Sequence, residues 1–257
     1  VRLSQRTLLT CIALYLFSQL LFAINIQFPT SRNFDEFHYV PSAIQFLEMK
    51  PNQNMEHPPL GKEIMAVGIA IFGDKPGGWR AMSTVFGALT LVGMYLWGLA
   101  LFRNQQTALW VAAVTVFNQI LYVQARIGML DTFMVFFIIW AMAAFTAAWD
   151  LKIDLKTQRI LLAFTGVMLG LSTACKWFGL MPWFACIGLV AIIRIGKAMS
   201  FSFTKPAETD WYNPNYFRGI KIWEWALYLG VIPFCCYMVT FFPLLFVTDG
   251  TLHFTDL

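Results

Sequence analysis

The sequence predicts an all-α integral membrane protein: a polytopic bundle of about seven transmembrane helices, with short interfacial helices in its first external loop. Three observations predict it. Of the 257 residues, 58% are hydrophobic and 12% charged, against roughly 45–50% apolar and about 25% charged in an ordinary soluble domain. The apolar residues fall in runs without one Asp, Glu, Lys or Arg, and the bilayer core, about 30 Å thick, takes roughly 20 helical residues to cross. The basic residues gather in alternate gaps between those runs.

The charge-free runs are 7–26, 81–102, 104–125, 132–149, 160–175, 177–193 and 225–248. The first follows Arg2 and Arg6. It is too long for most signal-peptide apolar regions and has no clear small-residue cleavage site, so it reads as an uncleaved anchor that starts in the cytoplasm. The fifth and sixth runs are short and separated only by Lys176. One bent hairpin is an alternative there, and the lysine can also snorkel and lengthen either helix. A smaller apolar run, 64–73, is too short to cross and reads as an interfacial or re-entrant helix between Gly61 and Gly73.

Seven crossings from a cytoplasmic start give a charge pattern that tests the assignment. Arg2, Arg6, Arg103, Lys152, Lys156, Arg159, Arg194, Lys197, Lys205, Arg218 and Lys221 fall inside, eleven of the 18 basic residues, while nine of the 14 acids fall outside. That asymmetry follows the positive-inside rule. The net charge of +4 is therefore a topology signal and gives no reason to expect nucleic acid as a partner. The five cysteines, Cys11, Cys175, Cys186, Cys235 and Cys236, lie in or beside apolar runs without zinc-site spacing, and read as packing residues.

Residues 1–257 read as one membrane domain with two soluble segments. Segment 194–221 is cytoplasmic and basic, a connector that meets anionic headgroups. Segment 27–79 is external and concentrates Asp35, Glu36, His38, Glu48, Glu56, His57 and Glu63, and ionisable residues at a membrane edge are usually functional. In 34–39, two adjacent carboxylates sit between aromatics that can anchor the loop at headgroup depth.

A transferase acting on a lipid-linked sugar needs a carboxylate to take a proton from an acceptor hydroxyl and cations for the departing phosphate, both at the membrane face. Asp35 and Glu36 are the candidate bases; Arg80, Arg126 and Lys176 fall at external helix ends where they can meet a phosphate. Other roles stay open. The two prolines after His57 suffice to fix a rigid turn, though His57 can touch substrate, and Asp35, Glu36, His38 and His57 form a candidate set for a divalent cation. Arg126 and Asp131 share one external turn at a spacing that does not favour an intrahelical pair, so their partners are expected elsewhere. Lys176 can equally be a snorkelling anchor.

Five ordered strings resemble the motifs of the protein O-mannosyltransferases. They are Asn33-Phe34-Asp35-Glu36-Phe37-His38-Tyr39, then Glu56-His57-Pro58-Pro59-Leu60-Gly61-Lys62, Trp79-Arg80-Ala81-Met82-Ser83, Ala125-Arg126-Ile127-Gly128-Met129-Leu130-Asp131, and Lys176-Trp177-Phe178-Gly179-Leu180. The resemblance runs from the first helix to at least Leu180. It implies a GT-C fold and inverting transfer of mannose from a polyprenyl (dolichyl-type) monophosphate to Ser or Thr hydroxyls of exported proteins. The active site then faces away from the cytoplasm, in a bacterial plasma membrane or the endoplasmic reticulum membrane. It implies Asp35 as catalytic carboxylate, with Glu36 beside it in binding or orientation and Glu36 as base the alternative. His57, Lys62, Arg80, Arg126, Asp131 and Lys176 become substrate-binding candidates, with Arg80 foremost for the donor phosphate.

Full-length members of that family are longer, so the chain is expected to lack their C-terminal helices, and export machinery or a companion subunit is a candidate partner. Two rival functions remain: a GT-C enzyme that modifies a glycolipid such as lipid A, and a non-catalytic truncated partner. A transporter is disfavoured, because its spans should carry polar or charged groups near their middles.

Overall fold

The computed structural model describes residues 4–52, 54–198, 217 and 219–246. Every regular element among them is helical, and six helical spans are long and apolar enough to cross a membrane. The protein is a multi-pass integral membrane protein. Most of the predicted cytoplasmic connector, 199–216 and 218, and the tail 247–257 lie outside the described residues.

Helix α1 (Gln5–Ala23) starts where the Ser4 hydroxyl accepts from the Thr7 N–H at 3.1 Å, satisfying one of the free donors of a helix start. The external segment then forms two short helices, α2 (Glu36–Leu47) and α3 (Leu60–Phe72). α3 is the predicted non-crossing helix, and it stops at Gly73, whose φ of 87° is open to glycine at no steric cost. α4 (Pro76–Phe102) is the longest helix among the described residues and the bundle's axis, packed by α1 and α3 and by two helices that follow it, α5 (Gln105–Val116) and α7 (Leu130–Ala147).

The third predicted crossing differs from the expectation. Run 104–125 is not one helix but two, α5 (Gln105–Val116) and α6 (Gln119–Gln124). The β-branched pair Thr115-Val116 is a weak helix former, and the Asn118 side chain competes for the backbone by accepting from the Leu121 N–H at 3.0 Å, so it starts a new helix. The pair still returns the chain across the bundle. Asn104 follows the far end of α4, whereas Gly128 meets residue Glu36 near Arg80 at the opposite end. Among the described residues, six continuous spans and this broken pair carry the chain from one end of the bundle to the other.

α7 (Leu130–Ala147) and α8 (Leu155–Cys175) pack on each other as a hairpin, and α7 lies against α4, where Phe86 meets Phe133 and Phe136 edge to face and Phe136 meets Phe137 in the same way. The fifth and sixth runs are separate helices. Lys176 breaks from helical geometry, a 3₁₀ turn Trp177–Gly179 follows, and α9 (Leu180–Ala198) leaves from it.

The last span is continuous but changes pitch, from α10 (Ile222–Ala226) through a π-helical turn Leu227–Val231 to α11 (Ile232–Val239) and a 3₁₀ turn Phe242–Phe246. Pro233 has no N–H to give the Leu229 carbonyl; the Trp183 indole donates to it instead, at 2.6 Å. α8 meets this span across Gly166 and Gly170, where a Cβ would stand 2.1 Å from the Tyr228 carbonyl and 2.3 Å from that of Pro233. Both glycines are therefore fixed by backbone approach.

The two ends of the bundle separate as the charges predict. Thr7 and Gln105 share a hydrogen bond at one end, where Arg103 faces Asp150 and Arg159 pairs with Glu224 at 2.6 Å. Asp35, His57, Arg80, Arg126, Asp131 and Lys176 all belong to the other.

Candidate active site

The external end is organised around one buried ion pair. Glu36 opens α2 and Arg80 lies in the first turns of α4, and both side chains are fully buried. The Arg80 Nε–H donates to Glu36 Oε1 at 2.7 Å and Nη2–H to Oε2 at 2.8 Å. The Asn33 N–H adds a 2.8 Å bond to Oε2 and the Gly128 N–H a 2.7 Å bond to Oε1. The rest of the guanidinium gathers the incoming loop, with Nη1 donating to the carbonyls of Ile26 and Pro29 and Nη2 to that of Ser31.

All five donors of Arg80 are thereby used, and so are the lone pairs of Glu36. This corrects two expectations. Arg80 has no N–H left for a donor phosphate, and Glu36 has neither exposure nor a free lone pair for an acceptor hydroxyl. Their geometry instead fixes the loop 26–36 and hence the residue between loop and helix, Asp35.

Asp35 is half-buried and stands at the start of α2, with its side chain free of any capping bond. Tyr39, one turn on, donates its hydroxyl to Asp35 Oδ2 at 3.2 Å. Burial, then the Asp35 charge, push the Tyr39 phenol above its ordinary value, so it stays a proton donor. The field of Asp131 reaches the same phenol. Asp131, in the first turn of α7, pairs with Lys176 at 2.8 Å, and the two side chains keep 31% and 13% exposure. The His57 ring tilts against Tyr39 at 6.1 Å; burial, then the charges of Lys176 and Lys62, hold its imidazole below the ordinary value. Asp35, Tyr39, His57, Asp131 and Lys176 therefore share one electrostatic neighbourhood, rimmed by exposed Phe34, Phe37, Trp177 and Phe178.

Other expected residues lie apart from that group or are already engaged. Lys62 is buried, its ammonium donating to the Asn54 carbonyl at 2.5 Å and the His57 carbonyl at 2.8 Å, so it braces the His57 loop. Burial lowers it to about 8. Arg126 stacks on Tyr122, donates to its hydroxyl and to the Ile24 carbonyl, and keeps part of its guanidinium exposed. Arg126 and Asp131 thus take separate partners. No group of three His, Cys, Asp or Glu side chains stands close enough to hold a metal among the described residues. The candidate set of Asp35, Glu36, His38 and His57 does not fit a divalent cation, because Glu36 is committed to Arg80.

Two residues named in the sequence were given no role of their own there. Tyr39 carries a signal in its spacing, four residues after Asp35 on a helix, where side chains meet. Glu63 has none: its Oε1 is buried without a partner and burial raises its carboxyl to about 7.

The family model described as dolichyl-phosphate-mannose-protein mannosyltransferase matches residues 77–246. The chain belongs to this mannosyltransferase family. A polyprenol-phosphate-mannose–protein mannosyltransferase of Corynebacterium glutamicum is 32% identical over 195 residues, 62% of this chain and 36% of that protein. Its Mycobacterium tuberculosis namesake is 26% identical over 240 residues, 82% of this chain and 44% of the relative. The dolichyl-phosphate-mannose–protein mannosyltransferase 1 of Saccharomyces cerevisiae is 28% identical over 268 residues, 94% of this chain and 30% of its own length. The chain also shares its fold with a solved structure, the S. cerevisiae protein O-mannosyltransferase Pmt1-Pmt2 complex bound to the sugar donor. The TM-score is 0.74 at 22% identity, covering 95% of this chain and 35% of that one. The GT-C-type bundle expected from the sequence is the fold observed, and the chain spans less than half the length of these relatives.

Proposed function

We propose that this chain carries the catalytic first loop of an enzyme that transfers mannose from a polyprenyl monophosphate donor to Ser or Thr hydroxyls of exported proteins. The observation that carries the reading is the division of labour between Asp35 and Glu36 at the external end. One carboxylate is part-exposed and held by Tyr39, while its neighbour is buried in an ion pair that fixes the loop.

Asp35 takes the acceptor hydroxyl's proton as the oxygen attacks the anomeric carbon, and the bond to the phosphate oxygen breaks with its electron pair leaving on the phosphate. Base and phosphate lie on opposite faces of that carbon, so the centre inverts. Lys176 takes over the role first considered for Arg80, as the part-exposed cation in the neighbourhood of His57, Tyr39 and Asp131, and Arg126 is the second cation. Glu36 and Arg80 act as positioning residues. The names of the relatives support polyprenyl-linked donor and protein acceptor alike.

Mass spectrometry of exported proteins from cells with and without the gene tests the proposal. Hexose is expected to disappear from Ser and Thr sites; unchanged glycoproteins with loss of a glycolipid sugar would establish the glycolipid rival instead.

A further inference from the structure

A cavity of about 90 Å³ adjoins the active-site group, between the loop that carries His57, the turn at Trp177 and the outer end of the last span. Phe46, Met55, Trp177, Phe241 and Leu244 supply its apolar body, and His57 lines it too. The His57 ring lies 6.1 Å from that of Tyr39, whose hydroxyl bonds Asp35. Only Tyr39 and His57 therefore stand in the chain of contacts that joins the proposed base to the cavity.

Size and lining decide the occupant. Whole small ligands take cavities of about 300–1,000 Å³, and one of about 150 Å³ holds a benzene ring. This one has room for a single aliphatic side chain. Its wall at 54–59 is non-helical, and irregular backbone does not face hydrocarbon, so the cavity belongs to the external side and not to the acyl chains. A sugar ring is a poor occupant, because the polar groups that would meet its hydroxyls are engaged. Lys62 donates to the Asn54 and His57 carbonyls, and Asn52 is bonded to Ser42. The His57 imidazole and the Tyr237 hydroxyl, by contrast, have no hydrogen-bond partner among the described residues. An apolar floor beside one imidazole and one hydroxyl suits a peptide, which brings an apolar side chain together with backbone N–H and C=O.

We propose that this cavity is a subsite for the acceptor polypeptide: it takes one small aliphatic side chain near the Ser or Thr that receives the sugar, while His57 and Tyr237 bond the peptide backbone. The inference rests on the transfer reading given above. An extended peptide advances about 3.3 Å per residue, so with its hydroxyl at Asp35 the seated side chain belongs to a residue about two to four positions away.

The protein in lipid nanodiscs, given a nine-residue alanine peptide with a central threonine, tests this when one alanine at a time becomes valine, lysine or aspartate. Valine at one position should lower KM at least about tenfold, and lysine or aspartate there should raise it. A diazirine analogue of leucine at that position should cross-link to Met55, Trp177 or Phe241. Met55 is a loop residue with 52% exposure, so Met55→Trp fills the cavity without disturbing the bundle. It should remove both the valine advantage and the cross-links, and leave turnover of the all-alanine peptide unchanged. Phe241→Ala should shift the preference from valine toward leucine. Equal KM for valine, lysine and aspartate at every position, no cross-links to these residues, or cross-links that survive Met55→Trp would overturn the subsite even where mannose is transferred. Cross-links at the cavity that Met55→Trp removes, without transfer of mannose, would uphold the subsite and count against the transfer reading instead.

Discussion

Replacing Arg80 by alanine separates a structural from a phosphate-binding role for this residue. The substitution removes five N–H donors at once. It leaves the Glu36 carboxylate with only the Asn33 and Gly128 amides, and strips the Ile26, Pro29 and Ser31 carbonyls of their donor. Removing one partner of a buried ion pair costs about 3–5 kcal/mol, because the other charge stays behind in low dielectric. Three orphaned carbonyls would add about 1–3 kcal/mol each if they stayed dry. Opening the loop to water is cheaper than paying that sum, so the expected result is local unfolding of 26–36 with α4 and α7 intact.

An opening cost reduced by about 3–5 kcal/mol raises the open population roughly 10²- to 10³-fold or more. The Asn33 and Gly128 amides, both donors to Glu36, report it directly. Their hydrogen-exchange protection should fall by that factor, while amides in the middle of α7 keep theirs. Donor affinity should change little and turnover should collapse. Unchanged protection at Asn33 and Gly128 together with weakened donor binding would refute the positioning role and return Arg80 to the phosphate.

Asp35→Asn keeps shape and loses the proton acceptor; in a parent shown to be active, turnover should drop about 10²- to 10⁴-fold at near-constant donor binding. Lys176→Gln should raise the donor KM as well as lower kcat, since it removes attraction to the phosphate before and during transfer, while helicity by circular dichroism is retained. Thermal unfolding against pH should show a trough between about 7 and 8. Glu63, raised by burial from 4.5 to about 7, makes the folded state bind more protons than the unfolded one in that interval, so stability falls as pH rises toward 7. Lys62, lowered by burial from 10.5 to about 8, makes it bind fewer above 8, so stability climbs again. Glu63→Gln should flatten the acid side of the trough only.

The crossings were legible because hydrocarbon excludes charge so strongly that runs such as 81–102 and 132–149 mark their own limits. The break at Phe117 was not, because Asn118 is uncharged and passes a charge-based scan; its effect lies in hydrogen bonding to Leu121. Asp35 could be placed at the external end from its position after the first run. The partner of Glu36 could not, since Arg80 is 44 residues away, and the same holds for Lys176, 45 residues from Asp131. Contacts of that span depend on how α2, α4, α7 and α8 assemble. An Arg just before an apolar run reads from sequence as a free external cation, and only packing shows that its guanidinium is spent.

The same packing explains why two adjacent acids are not interchangeable. Successive residues at a helix start point about 100° apart, so when one side chain enters the bundle its neighbour faces elsewhere. Glu36 turns inward to Arg80, four N–H donors fill its oxygens, and it keeps no exposure. Asp35 has one oxygen on the Tyr39 hydroxyl and stays half-buried, with no charged partner among the described residues. A general base must reach the hydroxyl it deprotonates, and in the proposed mechanism that condition favours Asp35 over Glu36 without reference to proton affinity. A change at position 36 should therefore register first as lost order in the loop, and a change at position 35 as lost chemistry on an ordered one.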